Sequence, residues 1–242
     1  MKVYVITLAD AAERQENAAR QLKAANIDFQ FVPAVAGEDA VKSDVCDVDE
    51  REFLLNTGEK VTPAEIGRFV SHRLVWKMCT NLNEPILVME DDFLLADNFN
   101  VAVRLIMENV KEYGLIGLQR EEDAKKRQVR RLGRFTLWRY TKAPNVATCY
   151  GISPFAAEKL VEYADVISAP VDVYLKRSWR HGQQMFGISP YAVAEGGPGA
   201  KTLSQGRSKA GDSPHVENRG VLNRFRRWLS RSTQNIKHTE QA

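Results

Sequence analysis

Glu84-Pro85-Ile86-Leu87-Val88-Met89-Glu90-Asp91-Asp92-Phe93 is an apolar run opened by a proline and closed by three consecutive acids. Continuous hydrophobicity over so few residues predicts a central parallel strand with both faces covered. The acids then sit at the carboxyl end of that strand, the edge at which open α/β sheets receive ligands. Three adjacent carboxylates repel one another unless a cation neutralises them, and a hard divalent metal is the natural partner. A solvated turn at a strand end also accounts for an isolated acidic triplet, so the neighbouring segments decide between the two readings.

The segment before it starts Thr62-Pro63-Ala64-Glu65. A threonine N-cap, a proline at the first helical position and a glutamate three residues after the cap complete a capping box. The predicted helix carries Ile66, Phe69, Val70, Leu74 and Met78 as its apolar stripe, places Ser71, His72 and Arg73 in its second and third turns, and ends near Asn81. Further upstream, residues 2–8 form a β-branched strand, 10–25 a helix with Ala18, Leu22 and Ala25 inward, and 28–35 a second strand with Phe29 and Phe31 on one side. Strand, helix and strand in this order make a βαβ unit with a right-handed crossover. Residues 38–60 are polar and poorly periodic, which predicts loop with some helix.

Downstream, residues 99–111 read as helix and 115–118 as a short strand. Residues 120–131 are dense in mixed charge and are expected to be a solvated face or mobile loop, with a recognition patch as the alternative. Residues 135–140 alternate as a strand, 147–152 form another, and Ser153-Pro154 caps a helix running to about residue 165. Pro170-Val171-Asp172 opens a further segment, and short β-like runs at 184–189 and 191–194 close the core.

A chain of 242 residues with 44% hydrophobic content can bury one large core. Cys46, Cys79 and Cys149 are odd in number and widely spaced, which excludes a disulfide framework and a zinc knuckle. No apolar run approaches a membrane span, and the opening strand is too short and too β-branched for a signal peptide, so a cytoplasmic protein is expected. The net charge of +3 is uneven: from residue 196 onward nine basic residues face three acids, leaving −3 for residues 1–195. Two parts are therefore expected, a domain over 1–195 and, over 196–242, a flexible basic linker and tail. Within the tail, Val221, Leu222, Phe225, Trp228 and Leu229 share one helical face with arginines beside it. Residues 219–231 thus predict an interfacial helix for an anionic membrane surface, with docking on the body as the alternative.

Val5-Ile6-Thr7-Leu8 with Arg14, Phe31 to Gly37, Thr62 to His72 with Trp76, Ile86 to Asp92, Ala147 to Ser153, and Pro170-Val171-Asp172 follow one another in a pattern that resembles glycosyltransferase family 25. That family contains bacterial lipooligosaccharide galactosyltransferases and the collagen galactosyltransferases. The chain departs from it in having Asp10 where a basic residue is usual, Arg68 for Cys and Phe93 for Val. The resemblance implies an α/β, GT-A-like single domain with a mostly parallel central sheet flanked by helices. It implies an inverting, metal-dependent transfer of a hexose, galactose from UDP-galactose, to a lipid-linked oligosaccharide of the lipooligosaccharide or lipopolysaccharide core. It also implies a peripheral protein at the cytoplasmic face of the bacterial inner membrane, with no nucleic-acid partner.

By the same resemblance Asp92 is the direct ligand of Mn²⁺ or Mg²⁺, Glu90 supports the metal, and Glu90 and Asp91 contact ribose, metal waters or the sugar. Thr7, Asp10 and Arg14 lie where the nucleotide enters. Asp172 is the candidate base for the acceptor hydroxyl, against a role as a helix-start carboxylate, and Glu195 is held in reserve. Ser71 and His72 are donor-binding candidates, against a structural role for the histidine. Gly151 allows close backbone approach near the sugar, against a tight strand-to-helix turn. Two other classes compete: a non-enzymatic anionic-surface or nucleic-acid adaptor built on the tail, and a metal-dependent phosphoryl-transfer enzyme.

Overall fold

In a computed structural model, which describes residues 2–42, 46–119, 124–144 and 147–196, the βαβ unit is β1 (Lys2–Thr7), α1 (Ala12–Ala24) and β2 (Gln30–Pro33). The stretch expected to be mostly loop is α2 (Gly37–Lys42), the short β3 (Asp47–Val48) and α3 (Glu50–Thr57), the last capped by the Asp49 side chain. The long helix α4 (Pro63–Leu82) feeds β4 (Ile86–Glu90), followed by β5 (Phe93–Leu95), α5 (Phe99–Tyr113) and β6 (Leu115–Gly117). A hairpin of β7 (Lys125–Leu132) and β8 (Phe135–Lys142) precedes β9 (Cys149–Ile152) and α6 (Pro154–Glu162). The remaining elements are β10 (Val166–Ile167), α7 (Val171–Leu175), α8 (Ser178–His181), β11 (Met185–Ser189) and β12 (Val193–Glu195).

Eight strands form one mixed sheet in the order β2-β1-β4-β9-β6-β11-β8-β7. The β2-β1-β4 end is parallel, β9 runs antiparallel to both β4 and β6, and β11 returns parallel to β6. Of the two readings of the charged stretch, solvated face or mobile loop, the first holds over 125–132: these residues are the largely exposed edge strand β7, paired antiparallel with β8. An edge strand of a sheet can leave both faces in water while its partner satisfies the backbone, so its charge pattern does not distinguish it from a loop. The tail assigned to linker and interfacial helix lies, from residue 197, outside the described residues.

The sheet is covered on both sides, which is why β4 shows no alternation. Ile86 and Val88 pack with Phe69, Val75 and Trp76 of α4, while Leu87 and Met89 pack with Leu22 of α1 and Val103 and Ile106 of α5. The expected capping box starts α4: Thr62 Oγ1 accepts from the Glu65 amide at 3.3 Å, and Glu65 Oε2 accepts from the Thr62 amide at 2.9 Å. This helix then passes so close to the end of the βαβ unit that a Cβ on Gly67 would lie 2.5 Å from the Val35 carbonyl oxygen.

Gly151 has a packing reason of its own. It sits in β9 between Leu87 of β4 and Ile116 of β6, and a Cβ there would meet Ile106 Cγ2 at 2.3 Å. Its role is to admit α5, not to form the turn into α6, which Ser153 and Pro154 make. Gly151→Ala is expected to cost about 1–3 kcal/mol in urea denaturation, since a β-branched neighbour has little room to yield. In combination with Ile106→Ala the losses should be less than additive, and full additivity would contradict this contact.

Candidate active site at the carboxyl end of β4

Side chains alternate along a strand, so Glu90 and the next residue, Asp91, leave the end of β4 toward opposite faces. Glu90 continues the Ile86 and Val88 face toward α4. Arg68 grips it with two bonds, Nε to Oε1 at 2.6 Å and Nη2 to Oε2 at 2.8 Å. His72 Nε2 lies 2.9 Å from the same Oε1, while Nδ1 meets the Tyr150 hydroxyl at 2.8 Å, to which Trp76 Nε1 also donates at 2.8 Å. With the Tyr150 hydroxyl donating to Nδ1, the assigned tautomer carries its proton on Nε2 and donates to Glu90, so each buried polar atom in the chain has a partner. Burial opposes charge on Glu90, yet Arg68 and His72 outweigh it and hold the carboxyl well below the usual carboxylate range.

Asp91 turns to the opposite face. It accepts from Thr7 Oγ1 at 2.6 Å and pairs with Arg14 of α1 at 3.1 Å. Burial nevertheless raises its carboxyl above the ordinary value. Two of the three acids are thus neutralised by the protein's own arginines, whereas the expectation from sequence was a metal alone to offset their repulsion, with Asp92 as its direct ligand and Glu90 in support.

Asp92 is the remaining one. Its Oδ1 is buried and has no hydrogen-bond partner among the described residues. Burial, with the charge of Glu90 and smaller repulsions from Asp91 and Glu195, pushes it up to about 6 against the pull of Arg68. A partly buried acid in such a field is a characteristic of functional sites. No three His, Cys, Asp or Glu side chains gather as a metal-binding group among the described residues. Asp92 therefore fits a cation that draws its other ligands from substrate phosphates and water, as Mg²⁺ commonly does. The oxygens of Glu90 are directed at Arg68 and His72 instead.

Two further carboxylates face this end of the sheet. Glu195 ends β12, pairs with Phe93 in β5, and accepts from Thr148 Oγ1 at 3.1 Å. The next residue, Gly196, donates its amide to the Asp92 carbonyl at 2.9 Å, which ties the two segments together. Asp172, in the first turn of α7, acts with Asp92 on the Arg68 guanidinium. Its side chain does not cap the helix, whose N-cap is Pro170.

A family model described as Glycosyltransferase family 25 (LPS biosynthesis protein) matches residues 1–175. The chain belongs to glycosyltransferase family 25. Within this family it is similar to the lipooligosaccharide biosynthesis protein lic2B of Haemophilus influenzae, 32% identical over 39% of this chain and 35% of that protein. A glycosyltransferase 25 family member of Aedes aegypti is 27% identical over 46% of this chain and 19% of its own length. The matched stretches thus span about a third and about a fifth of these relatives. A solved Bacillus anthracis structure of a glucose-1-phosphate thymidylyltransferase overlaps 89% of this chain and 79% of its own at 12% identity, with a TM-score of 0.38, a likeness at which nothing about activity follows.

In this family 25 chain the anticipated residues separate into groups. Thr7, Arg14, His72, Glu90, Asp91 and Asp92 meet around the end of β4, with Asp172 and Glu195 near them. Asp10 is exposed in the turn after β1. Ser71 is spent internally: it donates to the Gly67 carbonyl at 2.7 Å and accepts from the Val35 amide at 2.9 Å, pinning the loop after β2 to α4. Arg68, Tyr150 and Thr148 went unrecognised in the sequence. The spacing of Arg68 and His72, four residues apart on one helix, was the signal that both reach the same partner.

The raised Asp92 gives a sign that can be measured. A carboxyl lifted by folding binds more protons in the native state between its unfolded value of about 3.9 and about 6. Stability falls as pH rises through that window and stays lower above it. Asp92→Asn is therefore expected to stabilise the metal-free protein at neutral pH by about 1–3 kcal/mol, the gain vanishing below about pH 4. Urea denaturation at both pH values measures this, and an equal effect at both would contradict it.

Proposed function

We propose that this chain is an inverting glycosyltransferase that moves a hexose, galactose from UDP-galactose, onto an oligosaccharide of the lipopolysaccharide or lipooligosaccharide core. The observation that carries the reading is Asp92, a half-buried carboxylate whose enclosed Oδ1 has no partner among the described residues, beside two acids that already have theirs. Asp92 would hold Mn²⁺ or Mg²⁺ together with the donor diphosphate; when bound, the ion supplies Lewis-acid stabilisation of the leaving group.

The protein's own groups complete the task. Arg68 is 42% exposed and uses two of its five N–H donors on Glu90, so three remain for phosphate oxygens. Glu90 and the His72-Tyr150-Trp76 chain fix its orientation from behind. Thr7, Asp10 and Arg14 border the nucleotide side at the end of β1. Asp172, which makes no hydrogen bond or ion pair among the described residues, is the base that takes the acceptor proton as the hydroxyl attacks the anomeric carbon, with Glu195 as the alternative. No helix among the described residues is long and apolar enough to cross a membrane. We place the protein in the cytoplasm at the inner face of the inner membrane, with residues 219–231 on anionic lipid and the acceptor lipid-linked.

UDP-galactose with Mn²⁺ at about a hundred times Kd should raise the melting temperature by roughly 5 °C, and Mn²⁺ alone by much less. No response to any nucleotide sugar would overturn the reading. Asp172→Asn should keep this shift and lose turnover by about 10²-fold or more, whereas near-normal turnover would transfer the base role to Glu195.

A further inference from the structure

The hairpin β7–β8 is the most one-sided surface of the described chain. Residues 125–142 hold eight lysines and arginines and no acid. Removing that +8 from the −3 of residues 1–195 leaves −11 for the rest, so the hairpin is opposite in sign to the remainder of the body. Lys125, Arg127, Arg130, Arg131, Arg134, Arg139 and Lys142 are all exposed. Lys125, Arg127, Arg131, Arg139 and Lys142 form no ion pair among the described residues. They line the outermost strand of the sheet and its partner, five strands from β4 and hence about 24 Å from the acid cluster. Val129, at the middle of β7, is 41% exposed among them.

A charge of this density on a sheet edge serves first to prevent edge-to-edge pairing with a second copy. Its amount exceeds that need, since one or two inward or edge lysines suffice. The aromatic groups discriminate between anionic partners. Lys126 Nζ lies 4.9 Å over the Trp138 ring and 5.2 Å over the Tyr191 ring, and Trp138 Nε1 donates to Ser189 Oγ at 2.7 Å. Phe135 and Tyr140 are buried. The hairpin thus offers no bare aromatic platform on which unpaired bases stack. Irregularly spaced guanidinium groups around an exposed valine suit an anionic surface whose charges rearrange laterally.

We propose that the β7–β8 hairpin docks the folded body on a bilayer of anionic phospholipid. Each basic side chain near such a surface adds attraction that falls off within a Debye length. The contact is carried by the body itself, separately from residues 219–231, and independent of the transfer chemistry at β4.

Sedimentation of the full chain with vesicles tests this. Vesicles with about 30% phosphatidylglycerol should bind it and release it as salt rises from about 0.05 to 0.3 M, while pure phosphatidylcholine should not. Lys125→Gln/Arg127→Gln/Arg131→Gln should weaken partitioning at least ~10-fold, with circular dichroism, melting temperature and the UDP-galactose response unchanged. Arg127→Lys/Arg131→Lys should retain binding, which keeps the test valid if the neutralised variant folds poorly. Unaltered binding of the glutamine variant, equal binding to phosphatidylcholine, or displacement from vesicles by a short DNA duplex at equimolar charge would each overturn the proposal.

Discussion

Three carboxylates in a row cannot share one environment, and the alternation of side chains at the end of β4 resolves the conflict. Glu90 is carried to α4 and its Arg68, Asp91 to α1 and its Arg14, and Asp92 is left between them. Everything that positions those two helices therefore positions the site. The Thr62 capping box and the close pass at Gly67 set α4, while the Thr7-Asp91 bond ties the end of β1 to the same point. In the Glu90 pair the carboxylate is largely buried while the Arg68 side chain is 42% exposed, and such a pair contributes more to placing groups than to net stability. Its value here is that it aims an arginine at the place where a diphosphate would lie.

Much of the architecture was legible because its signals are local. The capping box, the Ser153-Pro154 helix start and the unbroken apolar run of β4 each report a backbone requirement that no distant residue alters. The family resemblance found the correct segments for the same reason, and the family match covers residues 1–175. What escaped was non-local. That 125–132 is a strand depends on its pairing with β8, and that Gly151 admits α5 depends on Ile106, neither of which neighbouring residues announce. Ser71 was a donor-binding candidate through its place in the family-like helix before the acidic strand, yet its hydroxyl is consumed by Gly67 and Val35. The repulsion argument for the acids was sound, but it counted only metal as the neutraliser. Arg68 supplies that charge for Glu90 and Arg14 for Asp91, from helices separated from β4 in sequence.

The distribution of charge links the two regions of interest. The β4 end holds one carboxylate, Asp92, that the protein's own arginines leave unpaired, while eight basic residues and no acid occupy the β7–β8 hairpin. A transferase acting on a lipid-linked acceptor has to meet both a soluble donor and a charged surface. On the proposed reading those tasks would fall to different strands of one sheet.

The central claim is that Asp92 alone among the three acids is free to bind a metal–nucleotide complex. Mn²⁺ electron paramagnetic resonance with saturating UDP measures bound ion directly in the wild type and in Asp92→Asn and Glu90→Gln. The bound signal should be lost in Asp92→Asn and retained in Glu90→Gln, since a glutamine keeps the contacts to Arg68 and His72 in large part. Loss in Glu90→Gln with retention in Asp92→Asn would contradict this division of roles.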